Sequence, residues 1–236
     1  MLYKGIESKE ELFSLLDEVA SEYRKRTRRH GKAEIILIGG SSVLALYSFR
    51  TSTSDVDALI AGDSELLEAA HAVAAKHDLA PDWLNDDFKK TDSYTPTIIE
   101  YSAYLRTLAN CVQIRSVSGG FLLAMKLRSF RSYKHDLSDM IGIVAEERKK
   151  GNGLTVESVQ KCYQELYGDK TQIPDDALHF LIQLLANKNL ETYYREITLE
   201  EKEAHQKLVA LSRSDPAKVK LASKEELRAL LKRQGK

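Results

Sequence analysis

The stretch "IGGSSVLALYSFRTSTSDVDALI", residues 38–60, places a glycine pair and two serines ahead of two alternating aspartates. The apolar run just before it, residues 35–38, is rich in β-branched side chains and predicts a buried strand. Residues 43–47 predict a short helix, and residues 56–60 predict a second strand. The stretch therefore predicts a strand–turn–helix–strand unit in which Gly39-Gly40-Ser41-Ser42 is the turn.

The two aspartates of this stretch, Asp55 and Asp57, flank Val56. Alternate residues of a strand point to the same face, so the two carboxylates would lie side by side and repel each other. Magnesium takes oxygen ligands and is typically held by one or two carboxylates together with substrate phosphates. The pair predicts a site for Mg²⁺ or Mn²⁺, although Asp-Val-Asp alone also fits an exposed strand end.

The turn ahead of them offers a place for phosphate. A strand that ends in glycines and continues into a helix exposes backbone N–H groups at the positive end of that helix. Glycine also allows a ligand to approach the backbone closely, and Ser41 and Ser42 would add hydroxyl donors. A Gly-Gly pair alone is usually only a turn. The order of strand, turn, helix and Asp-x-Asp favours a joint phosphate and metal site.

Composition restricts the remaining functions. The 236 residues include 35 Lys and Arg and 35 Asp and Glu, so the net charge predicts neither a nucleic-acid nor a membrane partner. Cys111 and Cys162 stand in no metal-ligand spacing and fit a reducing compartment. There is no signal-peptide pattern and no run of about 18 apolar residues. We expect a soluble, cytoplasmic protein that does not contact a membrane.

The chain is expected to divide into an α/β domain over residues 1–150 and an all-helical C-terminal region over residues 151–236. Gly151-Asn152-Gly153 is the clearest breaker between them. Further strands are predicted over residues 97–101, 104–108 and 111–117. Further helices are predicted over residues 64–77, 121–133, 136–149 and 156–166, then one entered through Pro174, one capped by Thr198 with Glu201, and an amphipathic tail from Ser223.

A second set of polar residues lies on and after the helix predicted over residues 121–133. Lys126 has apolar neighbours one turn away on either side, so it either covers the core with its stem and reaches water, or enters a cleft and binds triphosphate oxygens. Arg131 and Asp136 follow. Asp136 fits the N-cap of the next helix, with Asp139 three residues later, since both favour a helix N-terminus.

Two further sequence features, a basic run and a tryptophan, each allow a structural and a functional interpretation. Residues 24–30, "RKRTRRH", carry five positive charges and fit either a solvated helix C-terminus or a patch for a polynucleotide such as tRNA. Trp83, in "DWLNDDFK", fits a core anchor better than a base-stacking platform.

The pattern hydrophobic-Gly-Gly-Ser followed by Asp-hydrophobic-Asp-hydrophobic resembles the polymerase-β-type nucleotidyltransferase superfamily. The resemblance implies an α/β (α+β) fold with a mixed, few-stranded sheet flanked by helices. It also implies that Gly39, Gly40 and Ser41 form the phosphate loop and that Asp55 and Asp57 hold the metal. The implied reaction is metal-dependent transfer of an NMP from an NTP such as ATP to an acceptor hydroxyl, with release of pyrophosphate.

The order Lys126, Arg131, Asp136, Asp139 resembles the abortive-infection and toxin-type branch and related bacterial proteins. By this resemblance Lys126 and Arg131 would bind phosphate and Asp136 would be an active-site acid. The acceptor would be RNA such as tRNA, and a protein antitoxin would be a partner. Superfamily enzymes usually add a third carboxylate from a later strand, and Glu100 is the only acid within the later strands predicted here.

Two other functions remain open: a small-molecule nucleotidyltransferase like those that modify aminoglycosides, and a catalytically degenerate nucleotide-binding or interaction module. A cleft lined by residues 24–30 would favour RNA, and a closed acidic pocket would favour a cationic small molecule. Absence of a third carboxylate near Asp55 and Asp57 would favour the module.

Overall fold

The computed structural model describes residues 3–216 together with residues 219, 222, 226, 227 and 231, so most of the tail predicted from Ser223 lies outside the described residues. The chain divides into two compact units. Unit 1 comprises Met1–Met125 and Glu157–Gln172, and unit 2 comprises Lys126–Val156 and Ile173–Lys236. The boundary predicted near residue 150 falls inside unit 2.

A mixed five-stranded sheet in the order β3-β2-β1-β5-β4 forms the centre of unit 1. β1 is antiparallel to β2 and parallel to β5, and β4 is antiparallel to β5. The short β3 is parallel to β2. The expected mixed α/β class is confirmed. The strands are β1 (Ala33–Leu37), β2 (Val56–Ala61), β3 (Leu84–Asn85), β4 (Ala103–Leu108) and β5 (Val112–Ser116).

The helices alternate with these strands and then continue alone towards the C-terminus. α3 and α5 have the predicted bounds. The helices are α1 (Lys9–Arg26), α2 (Gly39–Leu46), α3 (Ser64–His77), α4 (Gly119–Ser129), α5 (Asp136–Lys149), α6 (Val156–Tyr167), α7 (Asp175–Ala186) and α8 (Leu190–Ser214), with single 3-10 turns at Asp87–Lys90 and Pro96–Ile99.

The core of unit 1 lies between one face of the sheet and helices α1 and α3. Ile35 and Leu37 of β1 and Val56 of β2 contribute to it from the sheet. Trp83 is buried in the same core, and its indole Nε1–H donates to the Ala70 carbonyl at 3.1 Å, which confirms the core-anchor interpretation. Because side chains alternate along a strand, Asp57 lies on the opposite face of β2 from Val56.

Two predicted elements are wrong, and one predicted helix begins earlier than expected. Residues 97–101 do not form a strand: Pro96–Ile99 form a 3-10 turn, because Pro96 occupies a helix-start position and the Thr95 hydroxyl accepts from the Thr97 N–H at 3.4 Å. The helix predicted over residues 43–47 begins at Gly39, so the glycine turn is its first turn. Thr198 starts no helix, since it lies inside α8 and its hydroxyl donates to the Tyr194 carbonyl at 2.7 Å.

Unit 2 is built from helices, chiefly α5, α7 and α8. Phe130 and Phe180 pack with ring centroids 5.6 Å apart, and Tyr133 clusters with Leu227 and Leu231. Within the part of the chain that the structure describes, no helix combines the length and apolar character needed to cross a membrane.

Candidate functional site

The glycine turn, residues 39–42, lies where β1 ends, directly beside the start of β2. The Ile38 N–H donates to the Asp57 carbonyl at 3.0 Å, which joins the turn to β2. Gly39 has a φ of 59°, a left-handed conformation that glycine adopts at little cost. A Cβ at Gly39 would lie 3.7 Å from Asp57 Oδ2. The structure thus brings the predicted phosphate turn and the second predicted metal ligand together.

The two aspartates differ in exposure. Asp57 is half-buried within β2, whereas Asp55 is exposed and lies just before the strand begins. Ser54 Oγ lies 3.1 Å from Asp55 Oδ1. Strand alternation directs Asp57 to the face of β2 opposite buried Val56, and Asp55 lies in the bend that leads into the strand. A cation bound here would meet one exposed and one half-buried carboxylate.

The two serines of the turn are buried and tie it to the sheet. The Ser41 hydroxyl lies 2.7 Å from the Ile38 carbonyl oxygen and 2.8 Å from that of Asp57, and it can donate to either. Ser42 Oγ donates to the Leu37 carbonyl at 2.7 Å and lies 2.7 Å from Ser116 Oγ. These hydroxyls were predicted to donate to phosphate, but in the structure they lie within hydrogen-bonding distance of backbone carbonyl oxygens. The first N–H groups of α2 lack intrahelical acceptors, so they are the donors that this turn could offer to a phosphate.

Sequence reasoning missed Arg50, whose guanidinium lies against Gly40. A Cβ at Gly40 would be 2.9 Å from Arg50 Nη2 and 3.2 Å from Thr53 Oγ1. Arg50 Nε also donates to the Ser52 carbonyl at 3.0 Å. The available signal was an arginine between the glycine turn and the aspartates, since guanidinium groups are the preferred partners of phosphates. Glycine at position 40 makes room for this side chain.

Among the described residues, no strand after β2 supplies a third carboxylate. β4 and β5, both fully described, contain no Asp or Glu, and Glu100 follows a 3-10 turn rather than lying in a strand. Arg115 of β5 donates from Nε to Ser102 Oγ at 2.8 Å. Among the residues described, no three His, Cys, Asp or Glu side chains are grouped so that they could hold a metal. A metal at the glycine turn would rely on Asp55, Asp57, water and ligand phosphates, which matches the usual coordination of Mg²⁺.

The second predicted set forms a buried ionic cluster in unit 2. Lys126 Nζ lies 2.6 Å from Asp139 Oδ2 and 3.2 Å from Asp136 Oδ1, and Arg131 Nε lies 2.9 Å from Asp136 Oδ2. Lys126 is 6% exposed, Asp136 1% and Asp139 3%. The sequence predicted that the Lys126 ammonium would reach either water or an open cleft. In the structure it reaches neither and is paired with two buried carboxylates. Its charge is neutralised by two carboxylates within its own unit.

Asp136 is held ionised by this cluster. Burial alone raises the pKa of its carboxyl group, but the charges of Lys126 and Arg131, with the Arg131 backbone N–H at 3.0 Å, hold the pKa well below its usual range. The predicted N-cap at Asp136 is wrong by one residue. α5 begins at Asp136 and its N-cap is His135, because the Asp136 carboxylate is committed to Lys126 and Arg131 instead of the helix N–H groups.

Those N–H groups are capped from α8. Glu201 Oε1 accepts from the Leu137 N–H at 2.8 Å and from the Ser138 N–H at 3.4 Å, and the side chain is 2% exposed. Burial raises the pKa of Glu201 to about 8, with Asp139 adding to the effect and the hydrogen bonds from Ser138 and Leu137 opposing it. The predicted role of Glu201 as a local cap beside Thr198 is therefore wrong.

No family model matches the chain, and neither the curated proteins nor the solved structures contain a significant match. The resemblance to nucleotidyltransferases therefore depends on the motif residues themselves. These residues divide between the units: the glycine turn, Asp55 and Asp57 belong to unit 1, whereas Lys126, Arg131 and Asp136 belong to unit 2.

Proposed function

We propose that the chain is a metal-dependent nucleotidyltransferase with a nucleotidyltransferase-like fold in unit 1. One observation carries the proposal: the Asp57 carboxylate lies against Gly39 and the Arg50 guanidinium lies against Gly40 of the same glycine turn. A carboxylate that can bind a cation, a guanidinium that can bind an anion, and helix N–H groups thus lie within a few ångströms. A metal-bound triphosphate is a ligand that needs all three.

Within this site each group has a distinct task. Asp55 and Asp57 would hold Mg²⁺ or Mn²⁺, which would neutralise charge on the phosphates when bound. The α2 N–H groups and Arg50 would hold the triphosphate so that its leaving group points away from the acceptor. The acceptor hydroxyl oxygen bonds to the α-phosphorus, the bond to the bridging oxygen breaks, pyrophosphate leaves, and the hydroxyl proton passes to water.

The roles expected of Lys126, Arg131 and Asp136 stay predictions. Each already has an oppositely charged partner within hydrogen-bonding distance in unit 2. An RNA or tRNA acceptor, an antitoxin partner and a cytoplasmic location are likewise predictions, as is the choice of ATP among the NTPs.

A second candidate, a nucleotide-binding module without turnover, is favoured by the missing third carboxylate in the described part of the chain. Two-metal catalysis needs ligands for both ions. A module would bind a magnesium–NTP complex at the same turn and transfer nothing.

Label transfer distinguishes these candidates. Each of the four α-labelled NTPs is incubated with the protein, Mg²⁺ or Mn²⁺, and either total RNA or an aminoglycoside mixture. Transfer to RNA or to the aminoglycosides that disappears in Asp57→Asn and persists in Asp82→Asn, an exposed carboxylate elsewhere on unit 1, supports the enzyme. NTP binding with no transfer to any acceptor supports the module.

A further inference from the structure

A pocket of about 770 Å³ opens in unit 1 at the C-terminal end of α1 and against the β4–β5 turn at Ala109. Four basic residues line it: Arg24, Lys25, Arg28 and Arg29. We call these four residues and the space between them the basic pocket. Asp17 is the acidic residue in the lining, so positive charge dominates.

Little of this charge is neutralised by the protein. Lys25 lies 3.7 Å from Glu22, which is also 3.2 Å from Arg26. Within the described ranges, Arg24, Arg28 and Arg29 form no salt bridge with any carboxylate. Favourable interaction with the α1 dipole explains basic residues in the last helical turn, but Arg28 and Arg29 follow the helix end.

The backbone at Arg28 and Arg29 adds a second, independent observation. Their φ angles are 51° and 71°, in the left-handed region where glycine is the least strained residue. The Arg29 N–H closes the turn by donating to the Arg24 carbonyl at 2.9 Å, a bond that glycine would make equally well. Two arginines therefore occupy positions that the turn itself would fill at lower cost with glycine. Their side chains have a use that the turn does not explain.

The basic pocket is separate from the glycine turn. The N–H of Ala33, the first residue of β1, donates to the Cys111 carbonyl at 3.0 Å, so this end of β1 lies near the β4–β5 turn. The glycine turn lies at the other end of β1. A five-residue strand spans roughly 17 Å. A mononucleotide cannot reach both places. A polynucleotide of several residues can.

We propose that the basic pocket binds the phosphodiester backbone of a structured RNA without reading its sequence. Each arginine guanidinium can bind two phosphate oxygens at once. The pocket lining offers several arginines in a concave surface that fits an RNA sugar–phosphate backbone. None of the exposed large apolar side chains in the described chain lines the pocket, so a membrane surface would find no apolar anchor there. The choice of RNA over another polyanion rests on the proposed function together with the predicted RNA acceptor.

Fluorescence anisotropy with a labelled unmodified tRNA transcript tests the proposal across a salt series. Arg24→Gln/Arg28→Gln/Arg29→Gln is expected to bind at least tenfold more weakly, with a shallower dependence of log K on log salt by about 2, since each lost phosphate contact removes roughly 0.7–0.9. Arg28→Gly/Arg29→Gly removes the strain of the positive φ angles, so its melting temperature should be no lower than that of the wild type. Its RNA affinity should still fall. Lys89→Gln/Lys90→Gln, an exposed basic pair elsewhere on unit 1, should bind as the wild type does.

Equal RNA affinity in the wild type and both arginine variants would overturn the proposal. So would arginine-dependent binding of vesicles rich in anionic lipid in the absence of arginine-dependent RNA binding. Magnesium-dependent NTP binding, measured in parallel, keeps the two proposals apart. RNA binding that depends on the arginines, together with no NTP binding, would support the proposal for the basic pocket and contradict the proposal of a nucleotide site at the glycine turn.

Discussion

Glu201→Gln is expected to stabilise unit 2 at alkaline pH and to change little at acidic pH. The reason is the buried position of Glu201, whose pKa is about 8 in the folded chain against a usual 4.5. At 1.36 kcal/mol per pH unit, that difference corresponds to at most about 5 kcal/mol. Glutamine keeps the oxygen that accepts from Leu137 and carries no charge to bury.

The sign follows from proton binding. Below pH 4.5 Glu201 is protonated in both states and its burial carries no electrostatic penalty. As pH rises from about 4.5 to about 8, the folded state binds more protons than the unfolded state, so the free energy of unfolding falls. Above about pH 8 the loss is complete. The advantage of Glu201→Gln should therefore grow over this window and then level off.

Hydrogen exchange of the Leu137 and Ser138 amides at pH 5, 7 and 9, corrected for intrinsic rates, measures the effect where it arises. The single tryptophan, Trp83, reports on unit 1 and would serve as an internal reference for the unfolding of that unit. Glu200→Gln, an exposed neighbour, is the matched control. An advantage of Glu201→Gln that is the same at all three pH values, or largest at pH 5, would mean that Glu201 does not carry the raised pKa.

Three further substitutions test the described contacts. Gly40→Ala should displace the Arg50 guanidinium, because the new methyl group would lie 2.9 Å from Nη2; isothermal titration should show magnesium–NTP affinity falling about tenfold while the melting temperature changes little. Lys126→Met should lower the free energy of unfolding of unit 2 by about 3–5 kcal/mol in urea, since it leaves buried carboxylates uncompensated. Ser42→Ala should cost roughly 1–3 kcal/mol in thermal unfolding, because the Leu37 carbonyl and the Ser116 hydroxyl lose a buried partner.

Each of these has an outcome that would count against it. Unchanged NTP affinity in Gly40→Ala would remove Arg50 from the site. A Lys126→Met variant as stable as the wild type would mean that the cluster is not buried as described. A neutral Ser42→Ala would leave that hydroxyl available for a ligand after all.

Local patterns allowed much of the sheet and several helices to be predicted. α3 and α5 match their predicted bounds because apolar residues at helical spacing and flanking polar residues define both ends. The same local logic failed at residues 97–101, where β-branched residues suggested a strand and Pro96 set a 3-10 turn instead. Thr198 and Glu201 resembled a capping pair, but a helix start is not determined by two residues when the surrounding sequence is helical on both sides.

The sequence predicted which residues form the candidate site better than it predicted the contacts that those residues make. The proximity of Gly39 to Asp57 follows from strand order, because a turn after β1 meets the start of the antiparallel β2. Contacts between distant positions carry no local pattern. Glu201 caps α5 from more than sixty residues away along the chain, and the commitment of Ser41 and Ser42 to backbone carbonyls depends on how closely the turn packs on the sheet. Arg50 faces Gly40 because glycine leaves room there, which neither residue reveals alone.

Equilibrium binding of a labelled NTP, with and without Mg²⁺, is the first experiment for a nucleotide site at the glycine turn. We expect magnesium-dependent binding by the wild type and by Asp82→Asn, and a loss of the magnesium-dependent part in Asp57→Asn, whose carboxylate lies beside Gly39. Binding by Asp57→Asn equal to that of the wild type, or no NTP binding by the wild type in the presence of Mg²⁺, would contradict a nucleotide site at the glycine turn.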